Sequence, residues 1–182
     1  LLLSSAGAVY ADNVSQIIGD GNIVVFVDVP DNYWAKDAIY DFAKRGIVQG
    51  TGENSFEPEA GVTREQFAKM LVLTFSAPLT SPSEATFADV PKDKWSYTYI
   101  ETSKDFLTGY ANPFGGAPSF HPETNATRED IAVSLVRMMG LTDKDVNNAN
   151  YARNFRDAGD ISPALLPYVS LAAERGLIKG YE

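Results

Sequence analysis

The first 75 residues of the chain contain two stretches in which apolar residues recur with the period of a helix. The first stripe is formed by Trp34, Ala38, Ile39 and Phe42, and the second by Phe67, Met70, Leu71 and Phe75. This spacing is typical of amphipathic helices that bury one face. Gly46 can end the first helix in a left-handed conformation. Thr63 can cap the second, since Gln66 stands three residues later and completes a capping box.

The same order of motifs returns along the chain. The sequence Phe-Val-Asp-Val-Pro at 26–30 recurs as Phe-Ala-Asp-Val-Pro at 87–91 and, more weakly, as Phe-Arg-Asp-Ala-Gly at 155–159. Thr-Arg-Glu at 63–65 recurs at 127–129, and the apolar residues Ile131, Leu135 and Met138 follow it. Internal repetition of this kind indicates an array of similar structural units. Each copy is therefore predicted to fold as helix, loop, helix.

The repetition sets the expected organisation of the chain. Copy one spans residues 26–80 and copy two spans 87–141, whereas copy three, 155–182, has no Thr-Arg element and is predicted to be incomplete. Residues 12–25 form a lead-in, and a short strand is expected near Ile23–Val27. Two stretches with the composition of turns and loops are predicted linkers: Ser76–Thr86 and Thr142–Asn154.

The composition narrows the possible chemistry. The 182 residues include no cysteine and one histidine, His121, and their net charge is −9. These counts exclude a disulfide framework, a thiolate zinc site, a cysteine nucleophile and a multi-histidine metal site. An acidic chain is poorly suited to non-specific nucleic-acid binding, and no apolar run is long enough for a membrane-spanning helix. Because no carboxylate pair stands in a catalytic motif, we expect no enzyme, no metal and no cofactor.

The N-terminus resembles the rear half of a secretion signal. Leu1–Val9 is apolar, and Val9-Tyr10-Ala11 offers suitable residues for cleavage before Asp12. Residues 1–11 are therefore predicted to be a residual signal peptide, the alternative being a buried N-terminal segment. An exported chain without cysteine favours the envelope of a Gram-positive or similar bacterium.

The spaced pattern of Phe-x-Asp-Val-Pro, Trp, Ile, Arg-Gly-Ile, Gly, Phe-x-Pro and Thr-Arg-Glu resembles the S-layer homology (SLH) domain family. The resemblance covers about residues 26–182. It implies a mainly α fold in which three tandem repeats form a three-pronged spindle around a central helical bundle. It also implies non-covalent anchoring of exported proteins to the bacterial cell wall. The implied ligand is a pyruvylated secondary cell wall polysaccharide, held in grooves between neighbouring repeats.

The resemblance also points to the residues of these grooves. The key arginines fall on Arg64 and Arg128, each after a threonine, Thr63 or Thr127. The other implied ligand-binding positions are Asp28, Trp34 and Gly50 in copy one, Asp89, Trp95 and Gly109 in copy two, and Asp157 and Gly180 in copy three. Copy three has Pro163 near the position of the tryptophan.

Elementary chemistry supports an anion site at these arginines. A pyruvate ketal presents a carboxylate, which a guanidinium can bind with two parallel hydrogen bonds. An arginine in the first turn of a helix also stands beside free backbone N–H groups and the positive end of the helix dipole. The alternative is that Arg64 and Arg128 pair with Glu65, Asp130 or a neighbouring loop.

The remaining candidates also have structural interpretations. Trp34 and Trp95 each begin an apolar stripe, which favours packing in the core over contact with a ligand. Asp28 and Asp89 are expected to cap the turn that follows each of them. Gly50 and Gly109 are expected to serve the backbone geometry first.

Two other functions remain open. The repeats can be an assembly module that contacts other S-layer subunits. The chain can also be the targeting part of an exported enzyme whose catalytic domain is absent from this sequence.

Overall fold

A computed structural model describes residues 17–19, 22–52 and 54–180 of the chain. The predicted signal peptide, residues 1–11, lies outside the described residues. The chain divides into two compact units, Leu1–Ala60 and Gly61–Glu182, and the boundary between them falls inside copy one. We call them the first unit and the second unit and describe each by itself.

The described residues are mainly helical. Two strands, β1 (Ile17–Gly19) and β2 (Asn22–Val24), form an antiparallel pair at the start, so the predicted strand ends before Phe26. The helices are α1 (Lys36–Lys44), α2 (Arg64–Thr74), α3 (Tyr97–Ser103), α4 (Arg128–Met138) and α5 (Leu166–Glu174). Short 3₁₀ turns lie at Tyr151–Asn154 and Ala158–Asp160.

The first unit packs α1 against the segment that precedes it. Its core contains Phe26, Val29, Ile39 and Tyr40, and the backbone N–H of Phe26 donates to the Tyr40 hydroxyl at 3.1 Å. The predicted end of α1 is confirmed, because Gly46 is left-handed with φ of 69°.

The predicted stripe of α1 is only partly correct. Trp34 and Ala38 are exposed, whereas Ile39 and Tyr40 are buried. Trp34 stands two residues before the first helical residue, Lys36, so the helical period does not extend to it.

The second unit is built from helices of successive copies. The second helix of copy one, α2, packs against the first helix of copy two, α3, and in the same way α4 packs against α5. The capping box predicted at Thr63 is present, since the backbone N–H of Gln66 donates to the Thr63 hydroxyl. Helix α4 begins with an equivalent box, in which the backbone N–H of Asp130 donates to the Thr127 hydroxyl.

Helix α4 contacts two hydrophobic clusters. Its partly buried Ile131 and Met138 pack on the cluster around α2 and α3, whereas Val133 and Val136 belong to the cluster around α5. The single apolar stripe predicted from Ile131, Leu135 and Met138 was therefore incomplete, because a helix between two neighbours buries more than one face. In α2, the predicted stripe ends early, since Phe75 is exposed.

The predicted linker Ser76–Thr86 is fixed on α3. The backbone N–H and the hydroxyl of Thr86 both donate to the buried carboxylate of Glu101, each at 2.7 Å. The hydroxyl of Tyr97 donates to the carbonyl oxygen of Pro82 at 2.8 Å. These bonds hold the segment that joins copy one to copy two in one position.

Candidate functional site

Arg64 begins α2 and is almost entirely buried, with 1% of its surface exposed. Its Nε donates to the carbonyl oxygen of Phe120 at 2.8 Å, and its Nη2 donates to that of Thr108 at 2.6 Å. Nη1 forms an ion pair with Asp130, although it is not aligned for a hydrogen bond with any described acceptor. The rings of Phe120 and Tyr110 cover the guanidinium, with centroids 4.8 and 4.9 Å away. Arg64 is therefore enclosed by copy two.

The backbone at the start of α2 is also occupied. The N–H of Arg64 donates to the carbonyl oxygen of Thr124 at 2.8 Å, and the N–H of Glu65 donates to that of Pro122 at 3.0 Å. These are the groups that could otherwise receive an anion at a helix N-terminus. The expectation of free N–H groups beside Arg64 is wrong, because the loop of copy two supplies their acceptors.

Arg128 has the same place in copy two but is exposed. Its Nη2 donates to the carbonyl oxygen of Lys179 at 2.6 Å. Lys179 precedes Gly180 as Thr108 precedes Gly109, so Arg64 and Arg128 bind equivalent carbonyl groups of the following copy. The two junctions therefore share one geometry and differ in what surrounds the guanidinium.

An open cavity of about 310 Å³ lies beside Arg128. Its lining combines apolar side chains with two cations and three carboxylates. The lining residues are Thr127, Arg128, Glu129, Phe155, Asp157, Asp160, Ile161, Val169, Ile178, Lys179 and Gly180. We call this the Arg128 cavity. Two cations against three carboxylates (2 − 3) give this lining a net charge of −1. An anionic group therefore has to contact Arg128 or Lys179 directly, while the apolar residues can contact an apolar face of the same molecule.

The third residue of the Thr-Arg-Glu motif joins the copies as well. The Glu65 carboxylate accepts a hydrogen bond from the Ser96 hydroxyl at 2.7 Å and lies 3.3 Å from the ammonium group of Lys94. Glu129 accepts bonds from the backbone N–H and the hydroxyl of Ser162, at 2.9 and 2.8 Å. The sequence analysis did not predict that these glutamates join successive copies. The repetition of glutamate at the same position of the motif could have indicated it.

Asp28 and Asp89 were expected to cap the turns that follow them. Instead, each accepts hydrogen bonds from residues far along the sequence. Asp89 accepts bonds from the backbone N–H groups of Phe120 and His121, at 2.7 and 2.8 Å. Asp28 does the same for Phe56 and Glu57. Each aspartate therefore fixes the Phe-x-Pro segment of its own copy.

The hydrogen bonds around Asp28 change its acidity. Burial raises the pKa of this carboxyl, but the bonds from the backbone N–H groups of Phe56 and Glu57 and from the Ser55 hydroxyl outweigh burial and lower the pKa below 3.8. The carboxylate is therefore ionised in the folded protein at neutral pH, which suits its role as an acceptor.

The candidate glycines lie directly on aromatic rings. A Cβ atom on Gly50 would stand 2.9 Å from Cε1 of Phe26, and one on Gly109 would stand 2.7 Å from the carbonyl oxygen of Ser119 and against the ring of Phe87. Gly180 has a similar but looser contact with Phe155 at 3.2 Å. No side chain fits at Gly50 or Gly109 without movement of these neighbours, and neither glycine has a positive φ.

The two tryptophans are not core residues, contrary to the prediction. Trp34 is 88% exposed and Trp95 is 52% exposed. Each has a tyrosine beside it: Tyr33 with its ring centroid 6.0 Å from that of Trp34, and Tyr99 at 6.4 Å from Trp95. The surfaces of copies one and two therefore each present an indole ring, the kind of group that can stack on the apolar side of a sugar.

The copy-three candidates adjoin the Arg128 cavity. Asp157 and Gly180 both line it, and Asp157 is exposed. Among residues 17–19, 22–52 and 54–180, no N–H group donates to the Asp157 carboxylate, in contrast to Asp28 and Asp89. Pro163 is exposed in the segment that leads into α5.

Comparison with known proteins agrees with this repeated geometry. A family model described as the S-layer homology domain matches residues 25–68 and 154–182. The chain carries tandem S-layer homology repeats. Copy two lies between the two matched segments, and its Asp89 and Gly109 have the same contacts as Asp28 and Gly50 of copy one.

The relatives include enzymes and S-layer proteins. The chain is 29% identical over 157 residues to an exoglucanase, XynX, of Acetivibrio thermocellus. It is 26% identical over 151 residues to the surface-layer 125 kDa protein of Lysinibacillus sphaericus, and 28% identical over 152 residues to the S-layer protein sap of Bacillus anthracis. These alignments cover 86%, 82% and 82% of this chain but only 14%, 12% and 17% of the three relatives.

The contacts of three residues at the repeat junctions were not predicted from the sequence. Tyr110 and Phe120 enclose Arg64, and Lys179 provides the carbonyl group that Arg128 binds. The repeated Phe-x-Pro segment was the feature of the sequence from which the role of Phe120 could have been predicted.

In the described part of the chain, the longest helices, α2 and α4, have 11 residues each, and none is long and apolar enough to cross a membrane.

Proposed function

We propose that the S-layer homology repeats anchor an exported protein non-covalently to the bacterial cell wall, by binding a pyruvylated secondary cell wall polysaccharide. The module is non-catalytic in this proposal. The observation that carries it is the Arg128 cavity, where an exposed guanidinium adjoins an apolar wall between two successive repeats. Relatives that include S-layer proteins and a glucanase support a shared role at the cell surface.

The ligand in this proposal meets Arg128 with its ketal carboxylate. Arg128 is the first residue of α4, so the carboxylate also approaches the positive end of the helix dipole. Lys179 adds a second cation to the lining, which also contains the carboxylates of Glu129, Asp157 and Asp160. The rings and aliphatic side chains of Phe155, Ile161 and Ile178 provide a surface for the apolar side of the sugar and the ketal methyl group.

The two junctions have different roles in this account. At Arg64, every direction around the guanidinium is taken by copy two, so the junction serves stability. Arg128, by contrast, is an exposed residue whose Nη2 donates to the carbonyl oxygen of Lys179. We therefore expect one binding groove in the part of the chain that the structure describes, with Arg128 and Thr127 at its centre.

The charge of the protein determines which residues can attract an acidic polymer. The net charge of −9 repels an acidic polymer at long range, and only local cations can offset that repulsion. Binding should therefore rest on Arg128 and Lys179 and weaken as salt screens the exposed charges.

The proposal also includes the boundaries of the repeats, their arrangement and the cellular location of the protein. The repeats are taken as residues 26–80, 87–141 and 155–182, in the spindle arrangement implied by the family resemblance. We place the protein at the surface of a Gram-positive bacterium, since S-layer relatives come from Lysinibacillus and Bacillus. The module can equally serve an S-layer subunit or an exported enzyme, because relatives of both kinds align with it.

Assembly with other S-layer subunits is a second candidate function. Phe114 is 97% exposed in a loop that is longer than its equivalent in copy one, and no charged residue occurs from Phe106 to Phe120. An uncharged loop with an exposed aromatic side chain is suited to a protein contact. Concentration-dependent oligomers that disappear in Phe114→Ser would support this function.

A titration tests the anchoring proposal. Purified wall polysaccharide, either native or with its ketals removed, is titrated against the wild type, Arg128→Ala and Arg45→Ala. Arg45 is an exposed arginine of the first unit and provides a control with the same change in charge. We expect only native polymer to bind, with normal affinity for Arg45→Ala and a large loss for Arg128→Ala. Equal binding of both polymers by all three proteins would reject the proposal.

A further inference from the structure

Residues 111–117 of copy two form a loop in which every residue is exposed, and Phe114 at its centre is 97% exposed. We call this segment the Phe114 loop. The N–H groups of Phe114 and Gly115 donate to the side-chain and backbone oxygens of Asn112, at 3.0 and 3.1 Å. In the part of the chain that the structure describes, no hydrogen bond joins the Phe114 loop to another segment. Opening the loop therefore breaks only hydrogen bonds within it.

The base of the Phe114 loop, in contrast, is fixed. The N–H of Tyr110 donates to the carbonyl oxygen of Ser119 at 2.7 Å, and the N–H of Ser119 donates back to that of Tyr110 at 3.0 Å. The N–H of Ala88 donates to the carbonyl oxygen of Pro118 at 2.9 Å. The loop can therefore open while the repeat keeps its fold, and the peptide bond after Tyr110 stays in its hydrogen-bonded position.

The residues of the Phe114 loop suit the cleft of an endopeptidase. Such an enzyme inserts one side chain of its substrate into a specificity pocket, which is apolar in the chymotrypsin type. Phe114 can enter an apolar pocket, and the two glycines that follow it, Gly115 and Gly116, have no side chains that obstruct the catalytic groups. Exposed loop tips with small residues are the preferred positions of limited cleavage.

Two other exposed aromatic residues lack this setting. Trp34 is 88% exposed, but it lies two residues before α1, where the N–H of Lys36 donates to the carbonyl oxygen of Tyr33 at 3.0 Å. Tyr151 is 42% exposed and begins a 3₁₀ turn, and its own N–H donates to the carbonyl oxygen of Asn148 at 2.9 Å. Cleavage at either position first requires a hydrogen-bonded turn to open, so the Phe114 loop should be cut before them.

We propose that the Phe114 loop is a site of limited proteolysis, at which an endopeptidase with an apolar specificity pocket hydrolyses the peptide bond between Phe114 and Gly115. Water is the second reactant: its oxygen completes a carboxylate on Phe114, and Gly115 becomes a free amino terminus. The product is a two-chain form of the same repeats. This inference goes beyond the proposed anchoring function and does not depend on it.

The two fragments should stay together after cleavage. The Phe120 ring, which belongs to the second fragment, is fully buried, and its centroid lies 5.2 Å from that of Phe87 in the first. Nε of Arg64 donates to the carbonyl oxygen of Phe120 at 2.8 Å, and Asp89 accepts from the N–H of Phe120 at 2.7 Å. These contacts lie outside the Phe114 loop, so the cut leaves them intact.

Limited digestion tests the inference. The intact chain is treated with a small amount of chymotrypsin, and N-terminal sequencing identifies the start of each new fragment. We expect the first cut within the described residues to give a fragment that begins Gly115-Gly116-Ala117. A first cut elsewhere in the described residues, for example after Tyr110 or Tyr151, would overturn the inference.

Two variants identify the side chain that enters the specificity pocket. Phe114→Ser should slow the first cut about tenfold or more, because serine does not fill an apolar pocket. Tyr151→Ser removes another exposed aromatic side chain of the second unit and is the matched control. It should be cut at the rate of the wild type. Equal rates for Phe114→Ser and the wild type would reject Phe114 as the cleavage site.

Urea and gel filtration test whether the cut is local. Because only the loop opens, about 1 M urea should change the cleavage rate, relative to that of a free peptide, by less than about twofold. Cleavage through global unfolding would accelerate about fivefold or more. The cut protein should elute at the size of the uncut chain and separate into two fragments only in denaturant. A strong dependence on urea, or fragments that separate in native buffer, would contradict the inference.

Discussion

Arg64 and Phe120 are joined twice across the boundary between copies one and two. Nε of Arg64 donates to the carbonyl oxygen of Phe120 at 2.8 Å, and the guanidinium also lies 4.8 Å from the centroid of the phenyl ring. One arginine therefore fixes both the backbone and the side chain of the following repeat. The equivalent Arg128 is exposed, so the two arginines should differ in their contribution to stability.

Replacing each arginine by alanine should show this difference. Arg64→Ala leaves the Asp130 carboxylate and two carbonyl groups without their partner, which should lower the free energy of unfolding by about 3–5 kcal/mol. Arg128→Ala removes an exposed side chain and should cost less than about 1 kcal/mol. Urea unfolding of both variants checks the order. Equal destabilisation would contradict the structural role of Arg64.

The glycine before Tyr110 should tolerate no side chain. Gly109→Ala places a methyl group against Phe87 and the Ser119 carbonyl, and we expect a loss of about 1–3 kcal/mol in the free energy of unfolding. Gly159→Ala is the matched control, because its Cβ has no neighbour within 4 Å and its φ is not positive. Thermal unfolding should place Gly159→Ala near the wild type. A Gly109→Ala protein of wild-type stability would show that the packing of this loop is wrong.

The stability of the copy-one loop should depend on pH through Asp28. Its folded pKa is below 3.8, so the ionised carboxylate stabilises the folded state above that pH, and the stabilisation disappears as the pH falls through the folded pKa. Asp28→Asn should therefore be less stable than the wild type near neutral pH, and the difference should shrink in strong acid. Unfolding curves at a series of pH values measure it. A difference that stays constant with pH would reject this role of Asp28.

The exposed tryptophans should affect binding more than stability. Trp95→Ala removes a ring that is half exposed and should change the free energy of unfolding by less than about 1 kcal/mol. If the ring stacks on a sugar, the same change should weaken binding of the wall polysaccharide. Urea unfolding and polymer titration of one preparation separate the two effects. A large loss of stability with unchanged binding would place Trp95 in the fold.

Local sequence predicted those features that depend on neighbouring residues. The capping box of Thr63 and Gln66 and the left-handed Gly46 were correct, because each is determined within one helical turn. The motif repeats also placed Arg64 and Arg128 at equivalent helix starts.

Features that depend on distant residues could not be predicted in this way. Arg64 is buried because a loop 44 to 56 residues away encloses it, while Arg128 remains exposed despite the same motif. Trp34 was assigned to the core from a period that includes a residue outside the helix. The targets of Asp28 and Asp89 lie about 30 residues onward, and only the fold brings them together.

In the proposed function, Arg128 binds the acidic group of a cell wall sugar at the junction of copies two and three. A crystal structure of the protein with a pyruvylated amino sugar tests it most directly. We predict that the ketal carboxylate lies within hydrogen-bonding distance of the Arg128 guanidinium, with the sugar against the apolar wall of the cavity and no sugar at Arg64. A sugar bound elsewhere, with the Arg128 cavity unoccupied, would contradict the account.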